Sequence, residues 1–393
     1  MKSNYKKIGN FVRQTTNRNT DLKVMNLKGI NIEKEFMPSV ANINGTDLSK
    51  YKVVKKGQFA FNPMHVGRDE MLPIGLWKEE EPIIVSPAYI VFEIIDHDVL
   101  SPDYLMMWCS RKEFDRNCWF TTDSSVRGGF SWNDLCEMEF PYVEIQEQNK
   151  IVDEFSIINK RIMLLQTTSN KLETVADSLY KEWFVDFNFP INSFDSKLVT
   201  SPSSSSISYK KLNGKMVWNE ELQQDIPIDW EVGTLQDIYS FQYGKGNNNP
   251  DNGGKYPVYG SNGIIGYYDE FNSEDAPVIG HIGANCGSVI YAPGKHYVTY
   301  NGVICNIKKE FGRFFGYLTL KYKDLQSQTR GSSQPFVSYD MLYEIKTVLP
   351  PKNIESKASD HFDRLYKHII LLNSQIIALN KIKDLILLNL SKI

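Results

Sequence analysis

The stretch FSWNDLCEME at residues 130–139 decides the fold, because a related stretch, VSYDMLYEIK, stands at residues 337–346. The two align at an offset of 207 residues (337 minus 130), with a serine, an aromatic residue, a leucine and a glutamate in matching positions. The same offset continues into the residues that follow, where it superposes Phe155 on Phe362 and Leu172 on Leu379. One offset kept over such a length indicates an internal repeat.

A long helical pattern follows each copy, after a turn marked by proline. In both patterns the apolar residues recur at heptad spacings, from Ile151 to Leu179 in the first and from Phe362 to Leu379 in the second. A heptad seam is buried against another helix that carries the same seam. Each pattern runs for nearly 40 residues without an internal Pro or Gly, or about 55 Å at about 1.5 Å per residue. We therefore predict that the two helices form an antiparallel coiled coil; the alternative is that each lies on its own globular domain.

The segments before the two helices have a different composition, rich in Gly, Asn, Pro and aromatic residues. Short β-type runs alternate there with turn signals such as GSNG and APGK, a pattern typical of compact sheet-containing domains. A serine-rich stretch, SKLVTSPSSSSISYKK, separates the first helix from the second such segment and indicates a linker. The predicted fold class is α+β, with two globular domains separated by an antiparallel coiled coil in a pseudo-twofold internal repeat. The predicted divisions are 1–145 for the first domain, 146–187 for the first helix, 188–225 for the linker, 226–349 for the second domain and 350–393 for the second helix.

Composition narrows the function. The five cysteines form no C-x-x-C pair and the six histidines have no metal-ligand spacing, so we expect neither a zinc site nor a disulfide framework, and a reducing, cytoplasmic location. The net charge of −3, from 44 basic and 47 acidic residues, argues against a stand-alone nucleic-acid binder. Either such binding is local and needs a partner, or the ligand is of another kind.

Several stretches resemble the specificity subunits of type I restriction–modification systems, over nearly the whole chain. They are LYKEWFVDF (179–187), IPIDWEVGTLQDI (226–238), GKYPVYGSNGIIGYYDEF (254–271), GSSQPFVSYDML (331–342) and VSPAYIVFEI (85–94). In the second, Asp229 stands where the family usually has Gly before Trp. The resemblance implies that each globular domain is a target-recognition domain for one half of a split double-stranded DNA site, and that the helices are the conserved spacers.

The same resemblance implies the partners. Two methyltransferase subunits carrying S-adenosylmethionine would dock on the spacers, and restriction–translocation subunits would join them, while this chain has no cofactor and no catalytic residue of its own. The residues agree, because the nearest approach to an amino-methyltransferase (D/N/S)-P-P-(Y/F) loop is Ser86-Pro87-Ala88-Tyr89, and no G-x-x-x-x-G-K-[ST] loop is present. Asp340, Glu355 and Lys357 imitate a nuclease cluster, but an acid at a helix start is expected from the helix dipole.

Base reading calls for Arg, Lys, Asn or Gln on loops, and phosphate contacts call for basic and hydroxyl side chains. In the first domain the candidates are Arg13, Asn17, Arg18, Asn62, His65, Arg68, Ser124, Ser125 and Arg127. In the second domain they are Tyr243, Lys245, Asn247, Asn248, Ser261, Asn262, His281, Asn285, Arg330, Ser332, Ser333 and Gln334. The strongest candidates for DNA contact are the segments 121–129 and 328–335. They occupy equivalent places in the repeat and combine Arg, paired Ser and Gly.

The helical seams supply the candidates for helix pairing and partner binding. They are Phe155, Ile158, Ile162, Leu165, Trp183, Phe184, Phe362, Leu365, Ile369 and Leu372. Two interpretations stay open for Trp183 and Phe184: packing on the start of the second helix, or part of the methyltransferase docking surface.

Two other functions remain open for the whole chain. One is a non-catalytic scaffold whose coiled coil joins two ligand-binding domains. The other is a nuclease or methylase with an unrecognised site. The first of these would bind no duplex DNA, and the second would turn over a methyl donor or cleave DNA alone.

Overall fold

A computed structural model describes residues 4–39, 45–64, 66–122, 129–190, 208–210, 214–246, 251–331 and 334–392. The chain forms two compact units. The first comprises Met1–Leu164 with Ile376–Ile393, and the second comprises Leu165–Gln375. Each unit therefore contains one sheet-bearing segment together with a part of each long helix.

The helices and strands are numbered here in chain order. The α-helices are α1 Val66–Asp69, α2 Pro102–Cys109, α3 Lys112–Thr121, α4 Trp132–Glu137, α5 Ile145–Tyr180, α6 Leu235–Ile238, α7 Arg313–Lys321, α8 Tyr339–Glu344 and α9 Lys352–Asn389. The strands before α5 are β1 Tyr5–Lys7, β2 Val12–Thr15, β3 Lys28–Ile30, β4 Phe36–Pro38, β5 Lys52–Val54, β6 Gln58–Phe61, β7 Ile74–Leu76, β8 Ile83–Val85, β9 Ile90–Ile94 and β10 Glu139–Pro141. The strands after α5 are β11 Met216–Asn219, β12 Gln224–Pro227, β13 Glu231–Thr234, β14 Tyr239–Tyr243, β15 Tyr256–Gly260, β16 Gly263–Tyr268, β17 Ser273–Gly280, β18 Val289–Val298, β19 Gly302–Ile307 and β20 Lys346–Leu349.

The first unit is built on an antiparallel four-stranded sheet in the order β2-β9-β6-β7. Strands β6 and β9 carry large apolar residues, and the rings of Phe59 and Phe92 stack across the two strands with centroids 4.8 Å apart. Helices α2 and α3 bury Leu105 and Phe114 in the same core, so a helical layer covers one face of the sheet. The motif-like residues 86–89 form the turn between β8 and β9.

The second unit repeats this sheet and extends it. Its six strands run in the order β14-β19-β17-β18-β15-β16. The first four are antiparallel neighbours in the same sequence of pairings as β2, β9, β6 and β7. Strand β15 then joins β18 in parallel and pairs with β16 as a hairpin. The two domains therefore share a four-stranded core and differ in what is attached to it.

The offset of 207 residues seen in the sequence is kept in the structure where each domain joins its long helix. Helix α4 begins at Trp132 and α8 at Tyr339, while α5 begins at Ile145 and α9 at Lys352. Between them, β10 pairs with β1 as β20 pairs with β13. The internal repeat predicted from the sequence is thus confirmed as a repeat of structure.

The two long helices run antiparallel. In the second unit the Ser169 hydroxyl donates to Asn373 Oδ1 at 3.0 Å. Eleven residues further along α5, the ring of Tyr180 contacts that of Phe362, which lies eleven residues earlier on α9. In the first unit the other end of α5, with Val152 and Phe155, packs in one apolar cluster with Leu390. The antiparallel pairing predicted from the heptads is confirmed.

One hydrogen-bonding device recurs at both helix starts. In the first unit the amide oxygen of Gln148 accepts from the backbone N–H of Ser101, the N-cap of α2, at 2.9 Å. In the second unit the Glu355 carboxylate, 207 residues later, accepts from the N–H of Gly312, the N-cap of α7, at 2.8 Å. Both side chains are buried, with Gln148 at 0% and Glu355 at 2% exposure. Because an N–H shielded from water without an acceptor is costly, these two hydrogen bonds help to hold each sheet-bearing segment on its long helix.

The described helices include none that combines the length and the apolar character needed to cross a membrane.

Candidate nucleic-acid interface

In the second unit, three strand ends and one connecting segment meet at one edge of the sheet. Strands β14 and β17 end there, and β19 begins there, because Tyr243 pairs with Val303 and Gly280 pairs with Gly302. We call the described segments 243–246, 280–285, 299–302, 330–331 and 334–337 the loop edge of the second unit. They contain half of the candidates predicted for this domain: Tyr243, Lys245, His281, Asn285, Arg330 and Gln334.

Backbone hydrogen bonds hold the loop edge together. The N–H of His281 donates to Asn301 at 2.8 Å, and the N–H of Val337 donates back to the His281 carbonyl at 3.1 Å. Gly283 donates to Pro335 at 3.0 Å. Segments distant in sequence are therefore fixed against one another, as a preorganised binding surface requires.

Two glycines make this close approach possible. A Cβ atom added to Gly244 would stand 2.0 Å from the carbonyl oxygen of Thr299, and one added to Gly280 would stand 2.3 Å from that of Asn285. Real Cβ contacts are never so short, so any larger residue at either position would push the strands apart. The glycine-rich appearance of these loops in the sequence has a packing cause here.

Two exposed cations stand on the loop edge. Lys245 follows the end of β14 and is held through its backbone N–H, which donates to Val298 at 3.0 Å. Arg330 is held by a pair of backbone hydrogen bonds with Phe336. Within the described part of the chain, neither side chain has an acidic ion-pair partner. Such cations are suited to phosphate groups.

A cavity of about 580 Å³ opens beside Arg330. Its lining includes Lys323 and Lys346, and the Lys323 ammonium donates to the Lys346 carbonyl at 2.9 Å. Burial lowers the pKa of Lys323, because a desolvated ammonium is less favourable than a neutral amine. The cavity thus brings Lys323 and Lys346 close to the loop edge, together with the acidic Asp324 and Glu344 of the same lining.

The remaining candidates of the second unit occupy turns of the same sheet. Ser261 and Asn262 form the β15–β16 turn, and the Ser261 carbonyl accepts from the Ser288 hydroxyl at 2.8 Å. Asn285 is partly buried, and Gln334 is exposed. His281 is 6% exposed, with Nδ1 2.7 Å from the Val337 carbonyl oxygen, so its ring supports the loop edge from beneath.

The first unit has an equivalent edge. Strands β2 and β6 end there and β9 begins there, as the pairings Thr15–Val91 and Phe61–Ile90 show. The N–H of Phe130 donates to the Pro63 carbonyl at 2.9 Å, which matches the Val337–His281 bond of the second unit. Asn17, Arg18 and Asn62 follow these strand ends, and Asn62 Oδ1 accepts from the Met64 N–H at 3.0 Å.

A further cation belongs to this edge. Arg18 is exposed and forms a β-bridge with Lys52, whose ammonium donates to the Tyr89 carbonyl at 2.5 Å. Burial, and secondly the charge of Arg18, lowers the pKa of Lys52. Two adjacent positive charges favour an anionic ligand.

Arg13 is not part of this edge. It lies within β2, and its guanidinium pairs with the Glu93 carboxylate at 2.7 Å, where Gln58 also donates at 2.8 Å. Its charge is already balanced on the face of the sheet. Several other candidates lie outside the described residues or have side chains that are not described: His65, Arg68, Ser124, Ser125, Arg127, Asn247, Asn248, Ser332 and Ser333.

The seam residues lie along the paired helices. Leu165, Phe362 and Ile369 are buried, and Phe155, Ile158, Ile162, Leu365 and Leu372 are partly buried. Trp183 and Phe184 are also buried, with the Phe184 ring 5.0 Å from that of Phe315 and the Trp183 ring 6.0 Å from that of Phe362. The structure thus places this pair in the core beside the start of α9.

Among the described residues, no three His, Cys, Asp or Glu side chains are placed to hold a metal ion. Glu355 of the nuclease-like set is engaged with Gly312 and with the Ser359 hydroxyl, which donates to it at 2.7 Å.

Comparisons with known proteins agree with this architecture. Residues 227–381 match the family model described as the type I restriction modification DNA specificity domain. The MjaIX specificity subunit of Methanocaldococcus jannaschii is 24% identical over 75% of this chain and 69% of its own length. The EcoprrI specificity subunit of Escherichia coli is 32% identical over 24% of each chain.

A solved structure extends the likeness to the whole fold. The S subunit of a type I restriction–modification system from M. genitalium superposes with a TM-score of 0.60 at 18% identity, over 98% of this chain and 95% of that one. Over three quarters of its length in sequence, and over nearly all of it in fold, the chain is thus similar to the specificity subunits of type I restriction–modification systems.

Proposed function

We propose that this chain reads a split DNA site, with one half-site contacted by the loop edge of each unit and the gap set by the paired helices. The observation that carries the proposal is the repeated sheet edge. In both units the same strand ends converge, the same backbone bond ties them, and cations stand beside them: Arg18 in the first and Lys245 in the second.

This arrangement explains how a chain with a net charge of −3 can bind DNA. Phosphate neutralisation depends on local cations rather than on the total charge. Base reading needs few side chains, because one bidentate pair contributes about 1–3 kcal/mol of discrimination. We therefore expect the isolated chain to bind DNA with modest affinity. Partner subunits would supply the remaining contacts to DNA.

The partners proposed are methyltransferase subunits, which would bring S-adenosylmethionine and the adenine-modifying chemistry, and restriction–translocation subunits. The helix pair is their proposed docking region. Its outward faces carry exposed apolar side chains such as Met163, Leu371 and Leu385, which a second protein would cover. A complex that acts on chromosomal DNA would lie in the cytoplasm.

The test is to co-express the chain with the methyltransferase encoded beside it and to map methylated adenines across the host genome. We expect one bipartite sequence, with two short defined halves around a fixed gap. Binding of the purified complex to that duplex should weaken steeply between 50 and 200 mM salt, by roughly 10³-fold or more if about six phosphates are contacted.

A scaffold for other ligands would behave differently. It would leave the methylation pattern without a bipartite motif, and its binding would not follow counterion release. Either result would overturn the proposal. Methyl transfer or cleavage by the chain alone would instead assign it chemistry of its own.

A further inference from the structure

One exposed aromatic side chain stands at the centre of the loop edge of the second unit. Tyr300 lies in the tight turn between β18 and β19, which the N–H of Gly302 closes by donating to the Thr299 carbonyl at 2.9 Å. Its side chain is 53% exposed. Single exposed aromatic residues are common on protein surfaces, so exposure alone assigns no role. The rings that pack beneath Tyr300 point to a role in binding.

The ring of Tyr300 is the outer member of an aromatic ladder formed by Tyr339, Tyr243, His281 and Tyr300. Tyr339 and Tyr243 stack with centroids 3.8 Å apart, and Tyr243 lies 4.5 Å from His281. His281 then meets Tyr300 edge to face at 5.7 Å. The buried His281 ring and the partly buried rings of Tyr243 and Tyr339 support the exposed ring from beneath, so that contact with a ligand would cost little side-chain entropy.

The surroundings of Tyr300 favour DNA as the ligand. The adjacent backbone pairs, Gly244 with Gly302 at 2.9 Å and Lys245 with Val298 at 3.0 Å, bring the lysine to the base of the turn. The neighbouring Asn301 is exposed, and its carbonyl is fixed by the His281 N–H. An apolar ring between a cation and an amide matches a groove that presents phosphates, base-edge polar atoms and thymine methyl groups.

We infer that Tyr300 enters the major groove of the half-site read by the second unit and packs its ring on a thymine C5-methyl group. This inference rests on the proposed function. Lys245 contacts the adjoining phosphate. Tyr300 is then a specificity-determining residue, and Lys245 contributes to affinity for any sequence.

The test uses the full chain in complex with its methyltransferase subunits and the duplex defined by methylation mapping. In that half-site each thymine is replaced in turn by uracil, which removes only the methyl group. For the wild-type complex we expect one position at which uracil weakens binding by about 5-fold or more. The variant Tyr300→Ala should weaken binding to the thymine duplex by a similar factor and show no further loss with uracil.

Three variants serve as controls. Tyr267→Ala removes another exposed tyrosine of the same domain, 47% exposed on β16, and should leave the thymine preference unchanged. Lys245→Ala should weaken binding to specific and random duplexes alike and reduce the salt dependence by about one phosphate contact. Tyr300→Phe should keep the preference, since the ring makes the contact.

The outcomes separate the two proposals. If the wild-type complex prefers its bipartite site but every uracil substitution is neutral, or Tyr300→Ala behaves as Tyr267→Ala does, the inference about Tyr300 is wrong and the proposed function stands. If the wild-type complex has no sequence preference at all, both are wrong.

Discussion

Gln148 and Glu355 show how much a single side chain can decide in this molecule. They occupy the same place in the two repeats, and each accepts a hydrogen bond from the N-cap N–H of the helix that packs on the sheet. One is an amide and the other a carboxylate, so the acceptor oxygen, not the charge, is what the two sites share. Gln148 also donates to the Val99 and Val143 carbonyls, at 3.0 and 2.7 Å.

At the residue scale we predict that Glu355→Ala lowers the free energy of unfolding by about 1–3 kcal/mol, because it leaves the partly buried Gly312 N–H without its acceptor and removes the partner of the Ser359 hydroxyl. Glu355→Gln should cost less, as the amide at Gln148 accepts the equivalent bond. Asp360→Ala, at an exposed position of the same helix, is the matched control. Urea unfolding measures all three, and equal midpoints for Glu355→Ala and Asp360→Ala would contradict the prediction.

At the scale of elements, the long helices combine a seam with a polar contact. Ser169 is buried and its hydroxyl reaches Asn373 across the pair. Because Asn373 is exposed, this contact lies at the border of the apolar seam, where a polar pair favours one register over its neighbours. The helices end differently, since α5 passes into a π-helical turn at Lys181–Val185, which carries the buried Trp183 and Phe184.

The proposed function makes these helices the spacer between half-sites. Seven residues inserted in each helix, after Arg161 and after Asn380, keep the seam facing its partner, because seven residues are nearly two whole turns. We expect the methylated motif to keep both halves and to gain a longer gap. Methylation mapping in cells measures this.

An insertion of five residues at the same points is the control. It turns the seam by about 140° at 3.6 residues per turn, so the pair should fail to form and methylation should be lost. A seven-residue insertion that altered the bases of either half would contradict the spacer role.

At the scale of the whole molecule, each domain has its own sheet and its own join to a helix. Exchanging residues 1–145 for the equivalent domain of a similar specificity subunit should therefore change one half of the methylated motif and leave the other half and the gap unchanged. The join lies at Ile145, where α5 begins. If both halves changed together, the assignment of one half-site to each domain would be wrong.

The fold was largely predictable from the sequence because its main signals are periodic. Heptad spacing specifies paired helices whatever the loops do, and the repeat at one offset specifies that the join recurs. β-type runs such as Ile83–Val85 gave strands in the right places. The parallel addition of β15 to β18 was not predicted, since it depends on contacts between distant residues.

The candidate site was predictable only in part. The polar, glycine-containing loop segments of the sequence predicted Lys245 and Arg330 as candidates, and the structure brings both to the loop edge of the second unit. It also selected Arg13, whose partner Glu93 lies 80 residues away and could not be inferred from spacing. Tyr300 and Lys323 were missed. The signal for Tyr300 was present as an aromatic residue beside the Asn-Gly turn at 301–302, but only the structure shows the rings beneath it.

The constant offset at the joins has a consequence for inheritance. Because α4 and α8, and the starts of β10 and β20 and of α5 and α9, correspond at one offset, the part of the gene that encodes one sheet can replace the other with every join intact. Such a product would carry one sheet twice and, on the proposed function, would recognise the same bases twice. New target sequences could therefore arise by shuffling whole halves, without the slow accumulation of single substitutions.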